Sequence, residues 1–449
     1  MTQRLFGTDG VRGVAGQWPL DRETVTRLGA AIVRAGHDSH AERPARLIVG
    51  RDTRESGEWL EEALATGASS EGAEVTSIGV APTPAVAYLA GTLDFDLGVV
   101  LSASHNPFAD NGIKVFSGRG EKFGESSERA VEAIVADPSW QVPAEAMPAI
   151  TSQPSLVDAY LAHLSELLPS VTRLRGARIA VDMANGATTT TAPRVFERLG
   201  FEIVPHGHAP DGRNINLGCG STQPEALARL VVERGCRLGI AFDGDGDRAI
   251  FVDHNGRIVD GDAVMLILAR ARQREGRLAH ETVVATVMSN IGLEIALAKH
   301  GIRLLRTAVG DRHVQEEMAR GGYVLGGEQS GHIILAEHLP TGDGLATALA
   351  LLRVLEDTGA ELADLAAELV TYPQTLVNVR VKERRPVDEE PAVGAVIREA
   401  EAALDGQGRV LVRYSGTEPL LRIMIEGPTK DVVNGWAGRI EAVVREHLA

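Results

Sequence analysis

The chain predicts an α/β protein, with three α/β units in succession and a smaller α+β unit after them. Three observations carry this expectation. Strand-length apolar runs alternate with helix-length stretches through most of the chain, the rhythm changes after about residue 370, and a polar loop follows the strands that close each unit.

The elements follow in order. The first unit reads as a strand over Arg46 to Val49, a helix from Ser56 to Ser70, a strand over Val75 to Val80, a helix after Pro84 and a strand over Leu97 to Leu101. The second opens with a strand over Arg178 to Asp182, a helix over Thr189 to Leu199 and a strand over Phe201 to Pro205. A helix over Pro224 to Arg234 then leads to a strand over Leu238 to Phe242. The third unit has a strand over Thr282 to Met288, a helix over Leu293 to His300 and a strand over Arg303 to Ala308. A helix over Asp311 to Arg320 and a strand over Tyr323 to Leu325 complete it. Strands alternating with helices imply parallel sheets covered on both faces. The last unit reads as strands over Leu376 to Val381, Arg409 to Arg413 and Leu421 to Ile425, with helices over Ala392 to Leu404 and from Lys430 on. Breakers and polar residues place the joints at Pro138 to Pro154, Gly256 to Gly261 and Thr371 to Pro373. The expected domains are therefore 1–155, 156–257, 258–370 and 371–449.

The chain has 449 residues, enough for several cores, with 44% hydrophobic and 24% charged residues. Its 45 Lys and Arg against 61 Asp and Glu give a net charge of −16, and no basic cluster offsets it, which argues against nucleic acid as a partner. Cys219 and Cys236 fit no metal or redox spacing and read as buried thiols in a reducing compartment. The opening MTQRLFGTDG lacks a signal-peptide core and no apolar run reaches membrane-spanning length, so the expectation is a cytoplasmic protein without a membrane partner.

In open α/β sheets, ligands bind beyond the carboxyl ends of the strands. Ala241 to Arg248, AFDGDGDR, follows an apolar strand and sets Asp243, Asp245 and Asp247 between Gly244 and Gly246. Three carboxylates converging on a tight loop repel unless a hard cation compensates them. An EF-hand is excluded, because its sixth and twelfth positions would be Arg248 and His254; a solvated acidic turn is the alternative. Ser102, Ser104, His105 and Asn106 follow Leu97 to Leu101, before Pro107. Neighbours on an extended loop point apart, so His105 is a poor direct base for Ser104, and the absence of a GxSxG elbow speaks against an acyl-transfer hydrolase.

The third loop, GGEQSGHIIL, sets Glu328, Ser330 and His332 at alternate positions, where an extended backbone would let them read sugar hydroxyls; a plain surface loop is the alternative. In VRYSGTEPLLRI, Ser415, Gly416 and Thr417 lie between Arg413 and Arg422, a donor-rich turn suited to a phosphate dianion or, alternatively, a turn with solvated arginines. A serine loop, a carboxylate cluster, a polyol-reading loop and a phosphate cup fit phosphoryl transfer on a sugar phosphate.

The blocks FGTDGVRG (Phe6 to Gly13), GRDTRESG (Gly50 to Gly57), SASHNP, DGDGDR, GEQSGH and RYSGTEP resemble the α-D-phosphohexomutase superfamily, in order and over nearly the whole chain. TVMSN at Thr286 to Asn290, RTAVGDRHV at Arg306 to Val314 and the glutamine of GEQSGH resemble its bacterial amino-sugar branch. The resemblance implies three similar mixed α/β domains plus a smaller C-terminal α+β domain around a central cleft. It implies that Ser104 carries the transferred phosphoryl group, and that Asp243, Asp245, Asp247 and a phosphoserine oxygen hold one Mg²⁺ per site. Glu328 and Ser330 would read the sugar, and Arg413, Ser415, Gly416, Thr417 and Arg422 would hold the phosphate that is not transferred. Arg12, Lys114, Arg248 and His332 would stand at the transfer site. Lys114 is slightly favoured over His332 as the proton acceptor, on the expectation that burial and neighbouring cations lower its pKa. The implied reaction interconverts glucosamine 6-phosphate and glucosamine 1-phosphate through a 1,6-bisphosphate, with glucosamine or glucose 1,6-bisphosphate as activator. The C-terminal unit is expected to clamp and release the substrate, and the resemblance leaves a homodimer open. A phosphomannomutase or phosphoglucomutase is the runner-up. A silent sugar-phosphate-binding protein would show a damaged serine or aspartate motif, and a phosphatase would need easy water access to the phosphoserine.

Overall fold

The computed structural model describes residues 4–7, 9–37, 43–382, 385–386, 390–414 and 420–448. The chain forms two compact units, one of Met1–Met288 with Leu304–Ala367 and one of Ser289–Arg303 with Glu368–Ala449.

The first unit contains three sheets. The first has the order Val11–Val14, Asp110–Ser117, Leu97–Leu101, Arg46–Arg51, Glu74–Val80, Ile150–Ser152. Its last four strands are parallel, but Asp110–Ser117 runs against both neighbours, so the sheet is mixed rather than all parallel as expected. The reason is connection length: residues 102–109 are too few for a helical crossover, and the chain turns back beside the strand it has just left. The second sheet repeats the device. Leu238–Phe242, Arg178–Asp182 and Glu202–His206 are parallel, while Ala249–Asp253 returns antiparallel to Leu238–Phe242 and pairs on with Ile258–Val259. The serine and aspartate loops therefore both sit at the tips of antiparallel returns. The third sheet has the order Arg303–Thr307, Thr282–Thr286, Leu325–Gly327, Ile333–Leu335, and the Glu328 loop is its hairpin.

Leu97–Leu101, Leu238–Phe242 and Thr282–Thr286 are buried along their whole length, as near-continuous apolar runs covered on both faces should be. The helix Thr83–Thr92 starts with Pro84 in its first turn, where the missing N–H costs nothing.

The second compact unit is a three-stranded antiparallel sheet, Gln374–Arg380, Leu420–Glu426, Arg409–Tyr414, packed on the helices Pro391–Leu404 and Lys430–Leu448. It also holds the helix Ile291–Ala298, which the sequence reading had placed in the third α/β unit. The cause is local: the buried Glu426 carboxylate accepts from Ile291 N at 3.1 Å, at the helix N-terminus where an anion is favoured. Asn290 caps the helix and donates to Tyr372 O at 3.0 Å. A Cβ on Gly292 would meet Val370 O at 2.0 Å, so this approach needs glycine.

Candidate active site

Ser104 is buried, and its backbone lies in the left-handed region at φ +52°. Such a conformation persists where its surroundings over-determine it. Ser104 N donates to Ser102 Oγ at 2.9 Å, and Ser102 Oγ donates to Asp52 Oδ2 at 2.6 Å. The buried Arg54 guanidinium binds Asp52 at 2.8 Å and donates to the carbonyls of Ser104 (3.0 Å), Asn106 (2.8 Å) and Asp110 (2.9 Å), and also to that of Pro107. From the loop that follows the strand Glu202–His206, Asn216 Nδ2 donates to Ser104 O at 2.9 Å. The loop is thus clamped through its carbonyls, leaving the hydroxyl free to be aimed. It donates to Asp243 Oδ2 at 2.5 Å. His105 Nδ1 lies 3.4 Å from the same hydroxyl, and burial together with Arg248 and Arg12 lowers its pKa to about 4, so the ring is neutral near pH 7.

Asp243, Asp245 and Asp247 are all buried, and each offers an oxygen within 4.8 Å of the others. The glycines between them are required: a Cβ on Gly244 would meet Ser104 O at 2.5 Å. Burial and then Asp247 and Asp245 push the Asp243 pKa well above the usual carboxylate range. Asp245 Oδ1 and Asp247 Oδ1 are buried and accept no hydrogen bond. Hard, converging, under-satisfied oxygens with no His or Cys beside them fit a small divalent cation such as Mg²⁺.

Lys114, also buried, reaches Asp245 Oδ2 at 2.9 Å, Asp247 Oδ2 at 3.1 Å and Asp9 Oδ2 at 3.0 Å. Burial opposes its charge, but these carboxylates outweigh burial and hold its pKa well above the ordinary lysine value, the reverse of the lowering expected from sequence. His332 lies 3.6 Å from Asp247 Oδ2 through Nδ1 and 3.6 Å from Asp311 Oδ2 through Nε2. Gly342 N donates to Nε2 at 3.2 Å, which leaves the proton of the neutral ring on Nδ1, facing Asp247. Burial opposes protonation of His332, but Asp247 and Asp311 outweigh it and its pKa is raised.

Lys122 Nζ donates to Asp9 Oδ1 at 2.7 Å and, closely, to Asp311 Oδ2. A closed ring results, in which the imidazole of His332 stands between two acids: Lys114, Asp247, His332, Asp311, Lys122, Asp9 and back to Lys114. The sequence reading named neither Asp9, Lys122 nor Asp311 as a site residue. Asp9 and Asp311 lie inside FGTDGVRG and RTAVGDRHV, where an unexplained acid was a usable signal; Lys122 carried none.

The ring borders a cleft of about 510 Å³ lined by Arg12, His105, Asp247, Arg248, Asp311, Glu328 and His332 among others. Ser104 and Lys114, both buried, are not part of this lining. Arg12 Nη2 binds Asp9 Oδ2 at 2.6 Å, while Arg12 Nε and Arg248 Nε are buried and make no hydrogen bond, leaving donors for an anion. Glu328 Oε1 accepts from Gly310 N at 3.4 Å. Glu328, Ser330 and His332 do not form the row expected of an extended loop. The hairpin is tight, with Gly331 at φ +90° and Gly331 N donating to Glu328 O at 3.0 Å, so His332 turns inward and Ser330 is exposed at the tip.

In the second unit Arg413 and Arg422 are direct cross-strand partners. Burial, and then Arg422, lower the Arg413 pKa. Ser415, Gly416 and Thr417 lie outside the described residues. Cys219 and Cys236 are free and buried, and burial pushes the Cys219 thiol up to about 12, which leaves it inert near neutral pH.

Four family models match in order: phosphoglucomutase/phosphomannomutase alpha/beta/alpha domain I over residues 3–141, domain II over 158–256, domain III over 260–372 and the C-terminal domain over 376–443. The chain belongs to the phosphoglucomutase/phosphomannomutase family. Members of that family similar to it include phosphoglucosamine mutase of Solibacter usitatus, 49% identical over 100% of both chains. Phosphoglucosamine mutase of Moorella thermoacetica is also 49% identical, over 98% of this chain and 99% of its own. Among solved structures, a phosphoglucomutase/phosphomannomutase family protein of Burkholderia thailandensis has a TM-score of 0.80 at 23% identity, covering 99% of this chain and 98% of that one. Aspergillus fumigatus N-acetylphosphoglucosamine mutase, in complex with GlcNAc-6P and magnesium, has a TM-score of 0.67 at 17% identity, covering 98% and 95%. These structures share the family's fold of mixed α/β domains and a smaller C-terminal domain. Among the described residues no helix is long and apolar enough to cross a membrane.

Proposed function

We propose that the chain is a phosphoglucosamine mutase, an isomerase that interconverts glucosamine 6-phosphate and glucosamine 1-phosphate by way of a phosphoserine and a 1,6-bisphosphate. The observation that carries the reading is the Ser104 hydroxyl held 2.5 Å from Asp243 at the edge of a buried triad with under-satisfied oxygens. Full-length likeness to phosphoglucosamine mutases supports the amino-sugar substrate.

The chemistry rests on positioning and charge. Asp243, Asp245 and Asp247 would hold Mg²⁺, which when bound neutralises charge on the transferring phosphoryl group. Arg54 and Asn216 fix the backbone of Ser104, so its phosphoryl group faces the cleft. Arg12 and Arg248 supply the buried donors that meet it. Lys114, kept charged by three carboxylates, acts as a fixed positive charge rather than a base. His332 lines the cleft with Nε2 unprotonated, and there it takes the proton of the attacking sugar hydroxyl in exchange for the Gly342 contact. Glu328 faces the sugar at its 2-position. Arg413 and Arg422 bind the phosphate that is not being transferred, and after the first transfer the bisphosphate turns over and returns its other phosphoryl group to Ser104. An added 1,6-bisphosphate activates by rephosphorylating idle enzyme. A cytoplasmic location belongs to the same reading.

The test is side-by-side kinetics with glucosamine, glucose and mannose 1- and 6-phosphates. A kcat/KM for glucose or mannose phosphates equal to that for the amino sugar replaces this reading with a phosphoglucomutase or phosphomannomutase. Rapid loss of phosphate from the serine to water, with little isomer formed, replaces it with a phosphatase.

A further inference from the structure

We propose that Lys122 is a positioning residue for phosphoryl transfer, holding Lys114 through Asp9 and His332 through Asp311; the inference rests on the mutase reading above. Lys122 is 9% exposed at its side chain and does not line the cleft, so it does not meet the substrate. Its ammonium nevertheless ties together the two acids that close the charged ring. On one side Asp9 spends Oδ1 on Lys122 at 2.7 Å and Oδ2 on Lys114 at 3.0 Å and Arg12 at 2.6 Å. On the other, Asp311 Oδ2 is shared between Lys122 and the His332 ring at 3.6 Å.

The two acids come from distant parts of the chain. Asp9 precedes the strand Val11–Val14, whereas Asp311 opens the helix Asp311–Gly321. Without a cation between them they are two nearly buried carboxylates on one wall, and like charges in a low-dielectric setting separate or take up a proton. Either response loosens Lys114 or His332. Burial opposes the charge of Lys122, but Asp311 and Asp9 outweigh it and raise its pKa, so the bridge is permanently charged near neutral pH.

A second contact shows that the placement is built rather than incidental. Arg312, the residue after Asp311, donates to Glu128 Oε2 at 3.0 Å, also bonds Glu128 Oε1, and donates to Phe123 O at 3.1 Å. Phe123 is the residue after Lys122, and Glu128 is 4% exposed. Two adjacent residues of opposite charge on one segment thus meet residues of opposite charge on the other, which fixes the approach in two places.

The experiment compares wild type with Lys122→Met, Lys122→Gln and Lys122→Arg, each checked for fold by thermal unfolding and for the Ser104 phosphate by intact mass. Misplacing catalytic groups by about an ångström costs on the order of a hundredfold in rate. The expected result is a kcat drop of that order in Met and Gln with KM within about twofold, and recovery to within about tenfold of wild type in Arg. Unchanged kcat in Met or Gln, a rise in KM at constant kcat, or an Arg variant as slow as Met each overturns the proposal. Wild type inactive on glucosamine phosphates overturns the substrate reading instead. The variants are then judged by crystal structure, where Lys114 and His332 keeping their distances from Asp9 and Asp311 overturns the present inference.

Discussion

The Ser104 hydroxyl donates to Asp243 Oδ2 at 2.5 Å from a backbone held at φ +52°. A serine in so restricted a conformation, with its amide and carbonyl already bonded, has one group left to present. Ser104→Ala should therefore lose essentially all isomerase activity and all phosphate at this site. Intact-mass and phosphopeptide analysis with coupled kinetics checks this; an active alanine variant, or phosphate found elsewhere alone, refutes the assignment.

Asp243 gives the metal prediction an internal sign. Burial, Asp247 and Asp245 raise its folded pKa above its unfolded one, so its share of stability is complete below the unfolded pKa and is lost as pH rises through the folded value. In excess chelator at about pH 8, Asp243→Asn should melt a few degrees above wild type, because a buried like charge is gone. Mg²⁺ should raise the wild-type Tm by mass action and leave the variant unmoved, while turnover of the variant falls on the order of a hundredfold. Equal chelator Tm values, or full wild-type activity in chelator, count against the site.

The strand-ending loops were legible because each follows an apolar run buried on both faces, and their chemistry was written in unusual residue spacings. The antiparallel returns were not, since Asp110–Ser117 and Ala249–Asp253 are apolar strands whose direction depends on the length of the connection rather than on their own residues. The pKa of Lys114 was misread for a related reason. Sequence order shows burial, but the carboxylates of Asp9, Asp245 and Asp247 come from two distant loops, and their sum decides the sign. Lys122 was invisible, a lysine in no motif whose partners lie over a hundred residues away along the chain on either side, Asp9 before it and Asp311 after it. The helix Ile291–Ala298 reads as α/β from its pattern, and its placement is decided by Glu426.

His105 gives a pH prediction. Its folded pKa, about 4, lies below the ordinary 6.5, so the stability it contributes is present above the unfolded pKa and is lost as pH falls toward the folded one. Because the ring is partly exposed, screening holds the effect to about 1 kcal/mol. In metal-free, dephosphorylated protein, His105→Gln should flatten the loss of Tm between about pH 6.5 and pH 4. Identical slopes in the two proteins refute the assignment.

Glu328 tests substrate choice. A charged hydrogen bond to a 2-ammonium is worth about 1.5–3 kcal/mol, so Glu328→Gln should cut the preference for glucosamine over glucose phosphates by at least about tenfold in kcat/KM. The drop should fall on the amino sugar, with glucose 1-phosphate little changed. An equal loss on both sugars points to Glu328 orienting the Gly310 backbone it accepts from, rather than reading the amine.

The last prediction concerns Arg413, which stands opposite Arg422 in the antiparallel register of the C-terminal sheet. Two guanidinium groups directly opposite on a ladder repel, and a phosphate dianion bound to both would offset that repulsion. Burial lowers the Arg413 pKa, with Arg422 adding to it, so a phosphate dianion would relieve both. Ser104, the aspartates, Lys114 and His332 all belong to the other compact unit, so removing Arg413 should spare them. Arg413→Ala should accordingly raise KM for the monophosphate by about tenfold or more while leaving Ser104 phosphorylated and Mg²⁺ bound. The bisphosphate must turn over between transfers, and its grip at that moment is the phosphate not being transferred. The variant should therefore release intermediate and need added 1,6-bisphosphate for sustained turnover. Progress curves with and without added bisphosphate decide the matter: a wild-type KM together with an unchanged bisphosphate requirement would show that the non-reacting phosphate is held elsewhere.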